Sequence, residues 1–195
     1  MNRTRIAAVV SLVGALAAAT GGLVAQDAKD DACLRAVPES LSGQIPSIFP
    51  TYRLIQAGDY SADVVKAEKK GHKGGPCLGI ANGNFDGRNA KDFAFLLVSP
   101  GKPALLVAAR ATEDKEWTFQ ELLKLGQDAP GRNYVDIAPP GKYQDRHADS
   151  SGDSTKGWTT NYVSAFQGVA VGHFGSPGVA LFFNGTDWVR LRLGN

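Results

Sequence analysis

The chain has 195 residues, with 21 Lys and Arg against 19 Asp and Glu for a formal net charge of +2. Arg3 and Arg5 account for that whole excess, so a chain shortened past them is neutral and lacks the positive field that nucleic acid or an anionic membrane surface selects. About 165 mature residues of ordinary apolar content are enough for one domain with a real core, which excludes a disordered chain and a fold that depends on staples.

Arg3 and Arg5 precede an apolar run from Ile6 to Ala19, then Thr20-Gly21-Gly22, Leu23-Val24-Ala25 and the polar Gln26-Asp27. This layout predicts a secretory signal peptide over residues 1–25, cut after Ala25 or Ala19. The run is rich in Ala and Gly and marginal in length for a span of about 20 strongly apolar residues, which argues against an uncleaved anchor. Asp30-Asp31 stand where a lipobox before Cys33 needs aliphatic residues, so a lipoprotein is disfavoured too. Residues 26–36 read as a polar linker and residues 37–195 as a single β-rich domain. The expected location is secreted or periplasmic, with no stable membrane span after cleavage. Disulfides persist there, and Cys33 and Cys77 are the two cysteines of the chain. They are expected to pair, two free thiols being the alternative.

Pro38 to Phe49 suits one short helix, and Asp59 caps a second running to Lys70 with Ala62, Val64 and Val65 on its inner side. Lys66 to Lys73 is the one basic patch and reads as a solvated helix end. The apolar runs Phe93–Val98 and Ala104–Ala109, separated by the turn cluster "SPGKP", predict two paired antiparallel strands. Glu116 to Leu125 alternates well enough for a strand, although Leu122, Leu123 and Leu125 would also suit a helical stripe. Tyr134 to Ile137 is another strand, stopped by Pro139-Pro140-Gly141. The polar stretch Gly141 to Thr160 is too long for a routine connection and reads as mobile. Val179–Phe183 and Trp188–Leu193 predict a closing hairpin with Asn184-Gly185 as its two-residue turn. The sum is a mainly β (or α+β) domain: an antiparallel β-meander with a short N-terminal helical segment.

The stretch "GNFDGRNAKDFAF", Gly83 to Phe95, resembles the "GDFNGDGxxDfaV" loop-and-strand of FG-GAP or VCBS repeats, which build integrin-type β-propellers. The wider chain is similar to secreted bacterial proteins with one such loop: "FPxyRL…D" is matched by Phe49 to Leu54 with Asp59, "PPGxY" by Pro139 to Tyr143, and a final hairpin by Ala180 to Leu193. That resemblance covers most of the mature chain and carries no activity with it. A complete propeller is not implied, because Gly172-His173-Phe174-Gly175 is the nearest thing to a second copy and lacks an acid. The resemblance implies calcium ligands at Asn84, Asp86, position 88, the Ala90 carbonyl and Asp92, yet position 88 is an arginine. A guanidinium about 5 Å from a divalent ion is repelled by roughly 2 kcal/mol in water and roughly 7 at an effective dielectric of 20. Calcium remains the one cofactor implied, if Arg88 turns to solvent or Asn82, Asn84 and Asp86 act in an EF-hand-like register that lacks an acid at Phe93. The alternatives are a plain polar turn, or a guanidinium in the ion's place bridging Asp86 and Asp92.

Catalytic signatures are thin. His72, His147 and His173 are scattered without zinc spacing, Gly175-Ser176-Pro177-Gly178 is a turn rather than a nucleophile elbow, and Walker loops are absent from the sequence. The reading is therefore an exported, non-catalytic binding module with a degenerate calcium loop. Its partner is another exported protein or a cell-surface polymer, met by Trp158 and Tyr143. A hydrolase using the loop carboxylates Asp86 and Asp92, or a calcium-stabilised structural domain, is the alternative.

Overall fold

The computed structural model describes residues 31–68, 77–88, 90–112, 114, 116–126, 130–145 and 158–194. The signal peptide expected over 1–25, most of the basic patch, His72 and His147 lie outside the described residues, as does most of the segment read as mobile.

From Asp31 the chain is folded, so the described end of the segment read as a linker belongs to the domain. Asp31 Oδ1 accepts from Cys33 N (2.8 Å) and Leu34 N (3.2 Å), capping the helical turn α1 (Ala32–Arg35), while Oδ2 accepts from Ala57 N (2.9 Å). The helix expected over Pro38–Phe49 is two turns instead, α2 (Glu39–Ser42) and α3 (Ile45–Ile48), separated by Gly43 and Gln44. A proline at position 46 can sit only near a helix start, which is why α3 begins afresh there. Asp59 caps the short 3₁₀ turn Ala57–Asp59 rather than the next helix, α4 (Ala62–Glu68). On α4, Val64 is buried and Val65 is exposed.

Eleven strands follow among the described residues. The first sheet contains β1 (Arg53–Leu54), β2 (Ile80–Gly83), β3 (Asp92–Val98), β4 (Leu105–Ala111) and β5 (Trp117–Lys124). Its order is β1-β3-β4-β5, with β2 beside β1 on the same edge of β3. The second sheet contains β6 (Asn133–Ala138), β9 (Gly168–His173), β10 (Val179–Phe183) and β11 (Trp188–Arg192), in the order β11-β10-β9-β6. A separate hairpin, β7 (Gly141–Gln144) with β8 (Asn161–Ser164), lies between β6 and β9 in the chain. All pairings between these strands are antiparallel. The domain is thus mainly β, as its alternating and apolar runs imply, and it forms neither a closed barrel nor a complete propeller.

The unbroken apolar run in β3 has a direct cause: every residue of that strand is buried. On one face Phe93 and Phe95 meet Trp117 and Phe119 edge-on (5.6 and 6.4 Å), under the helical turns that bring Phe49 and Ser40 to the same aromatic pair. The opposite face packs on the second sheet, whose Val135, Val169, Leu181 and Trp188 share one core with it. The main chain also joins the sheets where Val135 N donates to Leu78 O (2.6 Å). The outer face of the second sheet is covered by Tyr143 and Tyr162 of the β7–β8 hairpin, both packed on Phe182.

Two turns fit their sequences. Lys102 N returns to Ser99 O (3.2 Å) between β3 and β4, as "SPGKP" leads one to expect. The final hairpin reverses through Asn184–Asp187 rather than through Asn-Gly alone. Asn184 acts through its side chain, whose Oδ1 accepts from Thr186 N and Asp187 N, and Gly185 takes the positive φ of +101°.

Cys33 and Cys77 form a disulfide across 44 residues of chain, with both residues buried. The bond is consistent with folding in an oxidising compartment. Closing a loop of that length restricts the unfolded chain by roughly 4 kcal/mol on the entropy model. Cys33→Ser/Cys77→Ser is therefore expected to lower the unfolding free energy measured in urea by up to roughly 4 kcal/mol. A loss below about 1 kcal/mol would mean that the native contacts of α1 already hold this segment.

Candidate functional site

The acidic loop joins β2 to β3, and its shape comes from short-range polar bonds. Asn84 Oδ1 accepts from Gly87 N (2.7 Å), and Asp86 Oδ1 accepts from Arg88 N (3.1 Å). Gly87 has φ +80°, a conformation that favours glycine, and the ring of Phe166 packs where a β-carbon would stand. Gln167 Oε1 accepts from Asn84 N (2.8 Å), tying the loop to the segment that leads into β9.

Charge is arranged differently from the bridge considered for Arg88. Among the described residues its guanidinium meets Asp86 alone, with Nε and Nη2 both at 2.5 Å from Oδ2. A second cation comes from β4, where Arg110 Nη1 stands 3.6 Å from the same Oδ2 with its guanidinium 4.0 Å from the centroid of Phe183. Arg88 does not bridge Asp86 to Asp92. Asp92, the first residue of β3, is wholly buried; its Oδ2 accepts from Phe85 N (3.1 Å) and its Oδ1 has no hydrogen-bond partner. Burial pushes its carboxyl up to about 6, with the neighbouring Asp86 adding to the rise against the opposing pull of Phe85 N, Arg88 and Arg110.

This donor set does not suit calcium. The Asp86 oxygen that would ligate is held by two guanidiniums, and Asn84 Oδ1 is spent on Gly87 N. The Ala90 carbonyl and Asp92 Oδ1 are then what remains of the set, against the six to eight oxygens an ion needs. Among the described residues no group of three or more His, Cys, Asp or Glu side chains could hold a metal ion. Arg110 was missed in the sequence because nothing in "AAR" at the end of an apolar run announces which face it takes. The β3–β4 register supplies that information: Phe93 pairs with Ala109, which sets Arg110 beside Asp92.

Both residues of the expected aromatic surface are partly exposed and also make internal contacts. Tyr143 packs on Phe182 at 4.5 Å between ring centroids, and its hydroxyl donates to Pro139 O (2.6 Å). That bond gives the Pro139–Tyr143 stretch its local role. Trp158 bridges the edge of β11 at Arg190, and Arg192 sits over its ring at 5.0 Å. Arg53 likewise clasps Asp59 through two bonds of 2.7 and 2.6 Å, which accounts for the pairing of Phe49–Leu54 with Asp59.

A groove that the sequence did not announce lies where the open edges of the two sheets face each other. It has a volume of about 350 Å³, with Gln120, Glu121 and Leu122 of β5 on one wall. Asn184, Asp187 and Arg190 of the final hairpin form the other, above Trp188. Two cross-sheet bonds close its floor: Trp188 Nε1 donates to Gln120 Oε1 (3.1 Å), and Arg190 Nη2 to Leu122 O (2.8 Å). Trp188 is braced from behind by Phe85 of the acidic loop, edge-on at 5.8 Å. Compared with known proteins, the chain matches no family model, no curated protein and no solved structure.

A buried carboxyl with a raised pKa fixes a pH dependence. The folded state holds the proton more tightly than the unfolded chain, so stability falls as pH rises from about 4 to about 6 and stays lower above that. The ionised form then costs about 3 kcal/mol. Asp92→Asn, which keeps an acceptor for Phe85 N, is expected to exceed the wild type in urea-unfolding stability at about pH 8 by up to that amount, with the advantage vanishing below about pH 4. A less stable variant at high pH would show that the loop needs the charge.

Proposed function

We propose that this chain is an exported, non-catalytic binding module, secreted or periplasmic, in which the groove between β5 and β11 meets the ligand. The acidic loop is a degenerate relative of the FG-GAP calcium loop, kept in shape by the guanidiniums of Arg88 and Arg110 instead of an ion. The observation that carries this reading is the groove itself. It is concave, its floor is fixed by two cross-sheet bonds, and it presents polar side chains from both walls, so several hydrogen-bonding groups converge on one space. A hydrolase working through Asp86 and Asp92 is disfavoured because Asp92 is wholly buried, and a general acid must come within hydrogen-bond reach of its substrate. Trp158 and Tyr143, both partly exposed, also support the module by covering a strand edge and the outer sheet face.

Reversing the groove's charge tests this without disturbing the core, because Glu121 and Asp187 are exposed. Wild-type protein immobilised and exposed to the host's extracytoplasmic fraction is expected to retain a binding component. Glu121→Arg/Asp187→Arg is expected to lose it at unchanged melting temperature, and Trp158→Ala to keep it. Loss with Trp158→Ala and retention with the double variant would place the contact at the Trp158 edge and reject the groove.

A further inference from the structure

The groove walls hold hydrogen-bonding capacity that the fold leaves unspent. Gln120 uses its carbonyl oxygen on Trp188, and among the described residues its amide nitrogen has no partner. Asn184 uses its oxygen on the hairpin turn, which leaves its nitrogen in the same condition. Both amides are oriented by these bonds, so their donors are fixed at no cost to a ligand. Arg190 spends Nη2 on Leu122 O and its Nε is buried out of a ligand's reach, which leaves Nη1 as its donor without a partner among the described residues. The acceptors are Glu121, with Lys124 at 3.9 Å, and Asp187, whose carboxylate forms no ion pair among the described residues.

Donors and acceptors therefore alternate around one small space above Leu122 and Trp188. An ammonium would satisfy the two carboxylates but oppose the amide and guanidinium donors. A carboxylate, sulfate or phosphate would satisfy those donors but face the two acids. A hydroxyl both donates and accepts, and a run of neighbouring hydroxyls on an apolar ring matches the whole set. A volume of about 350 Å³ lies at the low end of the range for small-molecule sites and holds a short chain of such rings. Resting on the groove reading above, we infer that the ligand of this groove is a neutral saccharide, seated with its hydroxyls between Gln120 and Glu121 on one wall and Asn184, Asp187 and Arg190 on the other.

Isothermal titration with neutral hexasaccharides (α- and β-linked glucose, and β-linked N-acetylglucosamine) and with hexagalacturonate as the anionic counterpart tests this. A neutral hexasaccharide is expected to bind with Kd at or below about 1 mM, and Asp187→Ala or Glu121→Gln to weaken it about tenfold or more. Both substitutions are at exposed residues, and an unchanged melting temperature shows that the fold is intact. Co-sedimentation with the matching insoluble glucan or chitin separates a polymer on a cell surface from a free oligosaccharide. No neutral hexasaccharide titrating at that concentration, a preference for hexagalacturonate, or indifference to both variants overturns the inference. If that happens while the charge-reversed double variant still loses its captured component, the groove stands as the contact site and its ligand is of another class. If the double variant keeps the component as well, the groove reading falls with it.

Discussion

One carboxylate oxygen, Oδ2 of Asp86, is shared by two guanidiniums that reach it from different parts of the chain. Arg88 comes from the loop itself and is half exposed, so by itself it contributes little. Arg110 comes from β4, is largely covered, and stands over the ring of Phe183 of the second sheet. A turn that could have wandered is thereby fixed to the neighbouring strand and, through that ring, to the opposite layer. The consequence reaches the groove. The fixed turn delivers Phe85 to the edge of Trp188, Trp188 donates to Gln120, and Gln120 forms part of the groove wall. Two sites that look unrelated in the sequence are thus consecutive links of one packed chain of contacts.

The cost of the arrangement falls on Asp92. Buried on the first residue of a strand with no exposed position, it accepts a single main-chain bond and leaves one oxygen unsatisfied. A buried carboxylate with so little compensation favours its protonated form. The compensation it does receive comes from Arg88 and Arg110 at a distance, so the two cations that hold the turn also make the buried acid tolerable.

Much of the β architecture was legible because it rests on local signals. The apolar runs of β3 and β4, the proline-glycine stops and the closing hairpin each have a cause within a few residues of chain. The cysteine pair followed from arithmetic. The helices were less legible: Gly43 and Pro46 broke one expected helix into two turns, and Asp59 was drawn to Arg53 instead of capping α4. The candidate site was legible only in part. The Asn84–Asp92 loop can be read from its own letters, but Arg110 and the groove depend on strand register and on which edges of two sheets meet. Gln120, Asp187 and Arg190 lie up to 70 positions apart in the chain (120 to 190) and carry no motif that joins them.

The two sheet edges at the groove are managed rather than merely exposed. Arg190 caps a main-chain carbonyl of β5, and the chain at Trp158–Thr159 bonds along β11. Free edges invite pairing with other chains, and here side chains from the facing sheet blunt them while leaving a small concave space between. Both the groove's shape and its rigidity then depend on a turn stiffened by guanidiniums. The most direct test is thermal unfolding of the purified protein in millimolar calcium and in excess chelator. If Arg88 and Arg110 stand in for an ion, the two midpoints coincide, because nothing that binds only the folded state has been added. A reproducible rise of several degrees in calcium, abolished by Asp86→Asn, would contradict the account.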